Sequence, residues 1–311
     1  MTKATWNGAA FVCALMIALA GCEDEPVQSA SNESEPAETV DNEAESAEQE
    51  AAEATPDVAP TIVLTSEVDY QPLNPARGDA SPMAGTLWGD RGGLQATGFL
   101  LKPTDGFESP PHIHNISYRG VVIRGVIHND DPDAAELWMP AGSFWTQPRG
   151  HVHITAAQGT DTLAYVEIDS GPYLVRGPGE AFESEERPVN VDASNIVWTD
   201  ASSIGWDADA EHKAEIAFLW GTPQGDERRG LLVRLAAGAT GTLSGADSRV
   251  VVVQGSLVTS RDESPVTLEA GSFLRTHGGT VELSCSGEDA CITYLHADGQ
   301  VSFLPNGRNS E

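Results

Sequence analysis

The feature that most constrains the fold of this 311-residue chain is an internal duplication. Short sequence segments of the first half recur in the second half, at offsets that decrease along the chain from 134 to 132 to 129 residues. Such drift is expected after a duplication followed by small deletions, so the sequence predicts two related domains in tandem. The recurring pairs are Ile62-Val-Leu-Thr with Ile196-Val-Trp-Thr, Leu87-Trp-Gly with Leu219-Trp-Gly, Ala141-Gly-Ser-Phe with Ala270-Gly-Ser-Phe, and Ala164-Tyr165 with Thr293-Tyr294.

Each copy has the composition and spacing of an all-β domain. Runs rich in Val, Ile, Leu and Thr, such as 121–127 and 249–253, alternate with turn residues. Intervals of about eight to twelve residues between turns are typical of a sandwich or barrel. The words Asn129-Asp-Asp-Pro and Pro140-Ala-Gly are predicted turns. We predict domains at 61–188 and 189–311, because charges and a proline near residue 190 suit a linker.

The first 22 residues predict export and lipid attachment. Lys3 precedes an apolar run from Ala9 to Ala20, which is too short to span a bilayer and is typical of a signal peptide. The ending Leu19-Ala-Gly-Cys22 resembles the lipobox of bacterial lipoproteins, which implies cleavage before Cys22 and lipidation of its sulfur. The alternative is an ordinary secretory signal with a chance cysteine. By the same resemblance, Glu23 favours the periplasmic face of the outer membrane over the inner membrane.

Charge divides the remainder into a tether and a body. Residues 23–60 hold thirteen Asp or Glu and no Lys or Arg. Such a segment buries too little apolar surface to fold, so we expect a disordered, extended tether, with a cation-buffering acidic tail as the alternative. The body has 34 acidic and 16 basic residues, a net charge of −18, which excludes nucleic acid and anionic membrane as partners. Membrane attachment is therefore expected only through the lipid.

Three histidines form the candidate metal site. His112 and His114 are two residues apart, so on a strand they point the same way. His153 follows a Pro-x-Gly turn that would feed an adjacent strand. Neutral imidazole suits zinc, copper, iron or nickel, and three such ligands leave positions open for water or substrate. Histidines that serve only the structure are the alternative, and His151 competes with His153 as the third ligand.

These motifs resemble the cupins, and the resemblance covers residues 60–311 as a protein of two cupin domains. The words YRGVVIRG and QPRGHVHITA look closer to an uncharacterised family related to the cupin domain of ChrR-type anti-sigma factors. The resemblance implies an all-β tandem double-stranded β-barrel (an RmlC-like jelly roll) and one bound divalent metal, with Fe, Zn, Mn, Ni and Cu all open. The matching positions are Gly106, His112, His114 and Gly125 in the first motif and Gly142, Pro148, Gly150 and His153 in the second.

The chain departs from the cupin pattern at one ligand position. Tyr118 stands where most cupins carry a Glu ligand, seven residues before Gly125. The site is therefore expected to use three His without a carboxylate. Tyr118 shares the strand parity of the histidine pair and would point inward, to hydrogen-bond a substrate or metal-bound ligand. Arg124, Trp145 and Gln147 could shape a pocket, whereas Arg119 is predicted to be an exposed charge.

The second copy lacks a comparable set of ligands. Ser244 and Ala246 fall near the positions of the histidine pair, His277 replaces the motif proline, and Glu282 replaces the third histidine. This copy is expected to support the first, or to lend a wall to a pocket or to a homodimer.

Two pairs of cysteines have different expected fates. Cys13 leaves with the signal peptide and Cys22 is lipidated. Cys285 and Cys291 flank a short polar loop, and in an exported protein that arrangement predicts a disulfide.

Three functions fit these residues. The first is a metalloenzyme of the three-His oxygenase-like kind, acting on a small molecule that the sequence does not identify. The second is a metal-binding or ligand-sensing module without turnover. The third is a structural envelope protein with a vestigial site. One barrel fold hosts many chemistries, so the fold alone does not choose among them.

Overall fold

The computed structural model describes residues 58–206, 214–222 and 227–305. The predicted signal peptide, the predicted lipidation site Cys22 and all but the last three residues of the predicted tether lie outside the described residues. The described part consists of β-strands joined by turns and short 3₁₀ segments, which confirms the predicted all-β class. Within these ranges, no helix is both long and apolar enough to cross a membrane.

The first half contributes eleven strands among the described residues. In chain order they are β1 (Thr61–Val63), β2 (Tyr70–Pro72), β3 (Met83–Trp88), β4 (Thr97–Lys102), β5 (Ile113–His114), β6 (Tyr118–Asp130), β7 (Met139–Pro140), β8 (Phe144–Gln147), β9 (Ile154–Ile168), β10 (Val175–Arg176) and β11 (Val189–Val191).

The second half adds a further eleven within its described ranges. They are β12 (Thr199–Asp200), β13 (Ala214–Gly221), β14 (Arg228–Leu235), β15 (Thr240–Gly245), β16 (Ser248–Gln254), β17 (Ser256–Arg261), β18 (Ser264–Glu269), β19 (Phe273–Arg275), β20 (Val281–Ser286), β21 (Cys291–Asp298) and β22 (Val301–Pro305). Short 3₁₀ segments span Thr65–Glu67, Pro75–Ala80, Pro178–Glu180, Ala193–Asn195 and Ala201–Ile204.

The strands build two antiparallel barrels, as the motif resemblance implied. The first has a large sheet in the order β11-β8-β6-β9-β4-β3-β2, with β7 on β6, and a small β10-β5 pair. The second has the sheets β1-β19-β16-β21-β14-β13-β12 and β18-β17-β20-β15-β22. Strands β6 and β9 pair along most of their length and bend at Gly125, whose φ is 72°. A Cβ there would lie 2.2 Å from Thr162 Oγ1, so only glycine fits this bend.

The two halves exchange their leading strands. Strand β1 pairs with β19 of the second barrel, and β11 pairs with β8 of the first. Ile62 lies opposite Leu274, and Asn190 lies opposite Trp145, which is the equivalent register. The alignment of Ile62 with Ile196 is therefore wrong: the structural counterpart of Ile62 is Asn190. The first Ile-Val-x-Thr segment begins in strand β1, whereas the second begins at the end of the 3₁₀ segment Ala193–Asn195, so the two do not correspond; the later recurring segments align correctly.

Three apolar cores organise the described residues. One fills the second barrel, a second fills the first barrel, and the third lies between the two large sheets. The third core combines Leu100 and Phe144 of the first half with Leu232 and Phe273 of the second. Burying a side chain of this size contributes about 1.5–3 kcal/mol, so the shared core stabilises the packing of one barrel on the other.

The duplication is visible as a pseudo-symmetric polar pattern at the edge of the shared core. Trp88 donates to the Tyr165 hydroxyl at 2.9 Å, and Trp220 donates to the Tyr294 hydroxyl at 3.0 Å. The two copies keep the same indole-to-phenol bond because each buried N–H needs an acceptor. These pairs confirm that Leu87-Trp-Gly and Leu219-Trp-Gly are equivalent.

Arginines cross from each barrel to the tryptophan of the other. The Arg119 guanidinium lies 3.9 Å from the ring centroid of Trp220, and the Arg249 guanidinium lies 4.5 Å from that of Trp88. Arg119 also pairs with Glu167 at 3.1 Å and with Asp169. Its side chain is only 18% exposed, so the expectation of an exposed charge at Arg119 is wrong. A single sequence offers no signal that the second copy would cover this face of β6.

A buried ion pair joins the barrels at the centre of this pattern. His296 Nδ1 lies 2.9 Å from Glu167 Oε1, and both side chains are at most 3% exposed. Burial acts to raise the pKa of Glu167, but His296 and Arg119 outweigh it and hold that pKa at about 2. Burial likewise acts to lower the pKa of His296, but Glu167 and Asp298 outweigh it and raise that pKa. The contact between His296 and Glu167 therefore favours the charged form of both partners.

Replacing His296 by Gln tests this linkage. Because its folded pKa is raised, His296 contributes stability that is fully present below the unfolded histidine pKa of about 6.5 and is lost as pH rises through the folded pKa. We expect the difference in free energy of unfolding between wild type and His296→Gln to shrink as pH rises above about 6.5 in urea titrations. A difference that stays constant or grows over that range contradicts the assignment. His277→Gln controls for the loss of an imidazole elsewhere.

Candidate metal centre

Backbone pairing brings the three predicted histidines together. His112 and His153 face each other as an isolated antiparallel bridge, with reciprocal N–H to carbonyl bonds of 3.0 and 2.9 Å. His114 follows on the same face, in strand β5. The nitrogen atoms available to a metal all lie within 4.8 Å of one another. Among the described residues this is the one cluster of three or more such ligands.

Each imidazole is oriented by a backbone carbonyl. The Nδ1 atoms of His112, His114 and His153 lie 2.9, 3.2 and 3.3 Å from carbonyl oxygens, and those oxygens belong to Pro110, Leu174 and His151. A carbonyl only accepts, so each Nδ1 carries the proton and each Nε2 keeps its lone pair. That tautomer is the one that a metal needs when it binds through Nε2.

Burial keeps the same imidazoles neutral. It lowers the pKa of His112, lowers that of His114 well below its ordinary value, and lowers that of His153 to about 3. Mutual repulsion between the three rings adds to the effect on His114 and His153. Because the three imidazoles are neutral near neutral pH, protons do not compete with a metal for their lone pairs. The donor set therefore fits a divalent transition metal, with no carboxylate among the ligands.

Tyr118 points into the site, as its strand parity predicts. Its hydroxyl lies 3.4 Å from His153 Nε2 and donates to Asn129 Oδ1 at 2.9 Å. Burial raises the pKa of Tyr118, so the phenol stays protonated and available as a donor. Thr155 also donates to Asn129 Oδ1, at 2.7 Å, and Asn129 in turn donates to Gln147. This chain of bonds fixes the phenol.

Asn129 corrects a predicted turn. Strand β6 continues to Asp130, and Asn129 is a strand residue with 1% exposure. The chain turns only after Asp130, where Asp131 caps the backbone N–H of Asp133. A buried Asn at the end of an apolar run indicates a polar partner inside the barrel. The Asp-Asp-Pro segment that follows Asn129 favours a turn and obscures that indication in the sequence.

Tyr173 and Asn115 complete the site and were not predicted. The Tyr173 ring stacks on His114 with a centroid distance of 4.3 Å, and its hydroxyl lies 3.1 Å from His114 Nε2. Asn115 donates to the Pro172 carbonyl at 2.9 Å and accepts from the Leu174 N–H at 2.8 Å. These bonds hold the 172–174 segment against β5. Nothing in the local sequence signals that a segment about sixty residues downstream would return to His114.

An apolar cavity of about 200 Å³ opens beside the histidines. Every residue that lines it belongs to the first half, so the second barrel supplies no wall. The lining includes Phe99, Phe107, Trp145 and Tyr173, together with His112, His114, Tyr118, Leu73, Asn74, Arg77, Pro82, Leu101, Ser109, Pro110, Thr155, Val166 and Val175. A concave, mostly apolar space next to a few convergent polar groups is typical of a small-molecule site.

The other residues considered from the sequence divide between cavity and surface. Trp145 lines the cavity, and Gln147 is buried behind Tyr118, where it accepts from Asn129. Arg124 faces outward and pairs with Asp161 at 2.8 Å. The carbonyl of His151 orients His153, so this residue acts through its backbone.

The second barrel has no counterpart of this site among its described residues. Its interior is packed with apolar side chains around Leu243 and Phe303, leaving a space of only about 20 Å³. Glu282 in β20 lies opposite Thr242 in β15. His277 lies in a turn near Thr61 Oγ1. Cys285 and Cys291 form the predicted disulfide.

A family model matches most of the chain. Residues 61–304 match a domain of unknown function, DUF4437. The chain belongs to the DUF4437 family. No curated protein matches it.

Solved structures share the fold at low sequence identity. A candidate dioxygenase from Nostoc punctiforme matches with a TM-score of 0.56 and 12% identity, covering 78% of this chain and 84% of that one. Salicylate 1,2-dioxygenase from Pseudoaminobacter salicylatoxidans, solved with gentisate, matches with a TM-score of 0.51 and 13% identity, covering 80% and 86%. Vicilin from hazelnut, Corylus avellana, matches with a TM-score of 0.50 and 10% identity, covering 78% and 87%.

These likenesses support the cupin fold for this DUF4437 chain and go no further. Two of the three proteins are named for oxygen chemistry and the third is not named for a reaction. The same double barrel therefore carries different roles, and the activity has to be argued from the site.

Removing one ligand tests the metal centre directly. We expect His114→Ala to lower zinc affinity by more than about 100-fold, because loss of a ligand exceeds the 10–100-fold cost of a supporting residue. Competition with a chromophoric chelator measures the affinity. His277→Ala, in the second barrel, is the matched control and should leave it unchanged. Equal affinity in the two variants contradicts the assignment of the site.

Proposed function

We propose that this DUF4437 chain binds one divalent transition metal through His112, His114 and His153 and acts as an oxygenase-like metalloenzyme on a small apolar molecule. The observation that carries the proposal is the convergence of three Nε2 lone pairs, each fixed by an Nδ1 bond to a carbonyl, at an apolar cavity. When bound, such a metal supplies a Lewis acid with open positions, and iron adds redox chemistry with O₂. Among Fe, Zn, Mn, Ni and Cu, zinc has no redox chemistry, so the oxygenase proposal requires one of the other four, and iron is the first to test.

The surrounding residues perform the remaining tasks. Phe99, Phe107 and Trp145 provide apolar walls that exclude water and favour an apolar substrate. The hydroxyls of Tyr118 and Tyr173 lie next to His153 and His114. That of Tyr173 can donate a hydrogen bond to an oxygen atom of the substrate, and that of Tyr118 can do so by exchanging Asn129 Oδ1 for the substrate as its acceptor. Burial raises the pKa of both phenols, so both remain donors at neutral pH. Donors fixed before the reaction stabilise developing negative charge most effectively.

Two comparisons favour oxygen chemistry over a purely structural role. The Nostoc protein is named a candidate dioxygenase, and the salicylate enzyme is a dioxygenase. A binding or sensing module is the second candidate, favoured by the relation of the motifs to the ChrR-type cupin domain. The two candidates share the metal site and differ in turnover.

The proposed setting is the bacterial envelope. The lipobox-like Leu19-Ala-Gly-Cys22 and the acidic segment 23–60 support an outer-membrane lipoprotein whose barrels extend from the lipid on a tether. The disulfide between Cys285 and Cys291 is in keeping with an oxidising compartment. The proposal does not fix the oligomeric state, and a homodimer is compatible with it.

Oxygen uptake by iron-loaded protein separates enzyme from binder. We expect consumption of O₂ with at least one member of a panel of diketones, thiols and phenolics, and none with His114→Ala. Tyr118→Phe should keep its iron and lower kcat by about tenfold or more, because one positioned donor is lost. An oxygen electrode with parallel anaerobic controls measures the rate. If fully iron-loaded wild type consumes no oxygen with any substrate, the dioxygenase proposal is wrong and the binding module is favoured.

A further inference from the structure

The cavity beside the histidines has a positive end. Its lining contains one arginine, Arg77, and no Asp or Glu. The body of the chain holds 34 acidic residues against 16 basic ones, so a wall without acids is unlike the rest of the protein. Because three neutral imidazoles leave the charge of a divalent metal uncompensated, Arg77 adds to a field that already attracts anions.

Arg77 makes no ion pair with any residue in the described ranges. Its guanidinium carbon lies 5.6 Å from the ring centroid of Phe107, another cavity residue. At this distance the guanidinium is held by a cation–π contact, which does not occupy its N–H donors. Arg77 lines the same cavity as His112 and His114, so its side chain shares that space with two of the candidate metal ligands.

The segment that carries Arg77 is closed by its own hydrogen bonds. The backbone N–H of Leu73 donates to the Pro82 carbonyl at 2.8 Å, and that of Asn74 donates to Ser81 Oγ at 2.9 Å. Asn74 Oδ1 caps the following 3₁₀ turn, and the chain reverses at Gly78, where φ is 55°. These bonds fix Arg77 at the rim of the cavity rather than in solvent.

We propose that Arg77 binds the carboxylate of the substrate, so that the substrate is a small apolar carboxylate. The inference rests on the proposed function, since it takes the cavity as the substrate site. A guanidinium matches a planar carboxylate through two parallel hydrogen bonds. Arg77 is one cation suited to one carboxylate, and the aromatic walls formed by Phe99, Phe107 and Trp145 favour an apolar remainder of the ligand. Arg77 is thus a specificity-determining residue.

Benzoate and benzamide form a matched pair of probes, because they share shape and differ in charge. In isothermal titrations of the full, metal-free chain, we expect benzoate to bind about tenfold or more tightly than benzamide, as a charge-assisted hydrogen bond implies. Arg77→Met should remove this preference without changing benzamide affinity, and Arg77→Lys should retain part of it. Arg124→Met removes an equal charge on the outer surface and is the control.

Three outcomes would overturn the inference. They are a benzoate preference that survives Arg77→Met, an equal loss of affinity for both probes, and no binding of either probe at millimolar concentration. Repeating the titrations with zinc-loaded protein keeps the two proposals apart. If zinc binds but the charge preference is absent, only the role of Arg77 is wrong. If the preference is present but no metal binds, the metal centre is wrong and the anion site stands.

Discussion

The reciprocal backbone bonds between His112 and His153 are the constraint on which the rest of the site depends. The pair joins the residues that precede β5 and β9, and the same register places two imidazoles side by side. His114 then shares their face because side chains alternate along a strand. A slip of one residue would turn these ligands away from the cavity, so barrel closure and metal geometry are specified together.

The supporting layer around these histidines is largely backbone. Carbonyls of Pro110, Leu174 and His151 accept from the three Nδ1 atoms and set the tautomers. Side-chain support is concentrated on the phenols, where Asn129 accepts from Tyr118. Substitution of the residues that supply carbonyls would leave those bonds in place, whereas the histidines and Asn129 act through their side chains.

The second barrel supports the site through contacts on the face of β6 that lies opposite the cavity. Strand β6 presents Tyr118 to the cavity and Arg119 to the opposite face, where the guanidinium stacks on Trp220 and pairs with Glu167. Glu167 also binds His296 of the second barrel. The copy that lost its metal ligands therefore covers and orders the strand that carries the inward phenol. Its own interior is filled with apolar side chains, which suits a structural role.

The sequence was sufficient for the fold class, the duplication and the histidine cluster. Strand periodicity and glycine positions determine these features locally, and the spacing of His112, His114 and His153 follows from adjacent strands. The sequence was insufficient for Tyr173 and Arg77, which approach the site from loops distant in the chain. It also gave the wrong environment for Arg119, because covering that face depends on how the two barrels pack.

Direct location of the metal tests the central claim. In crystals of the metal-loaded chain, anomalous scattering recorded at the absorption edge of the metal reveals every bound ion. The account predicts a single peak, about 2.0–2.2 Å from the Nε2 atoms of His112, His114 and His153, and none in the second barrel. The absence of that peak from fully loaded protein, or a peak bound by other residues instead, would contradict it.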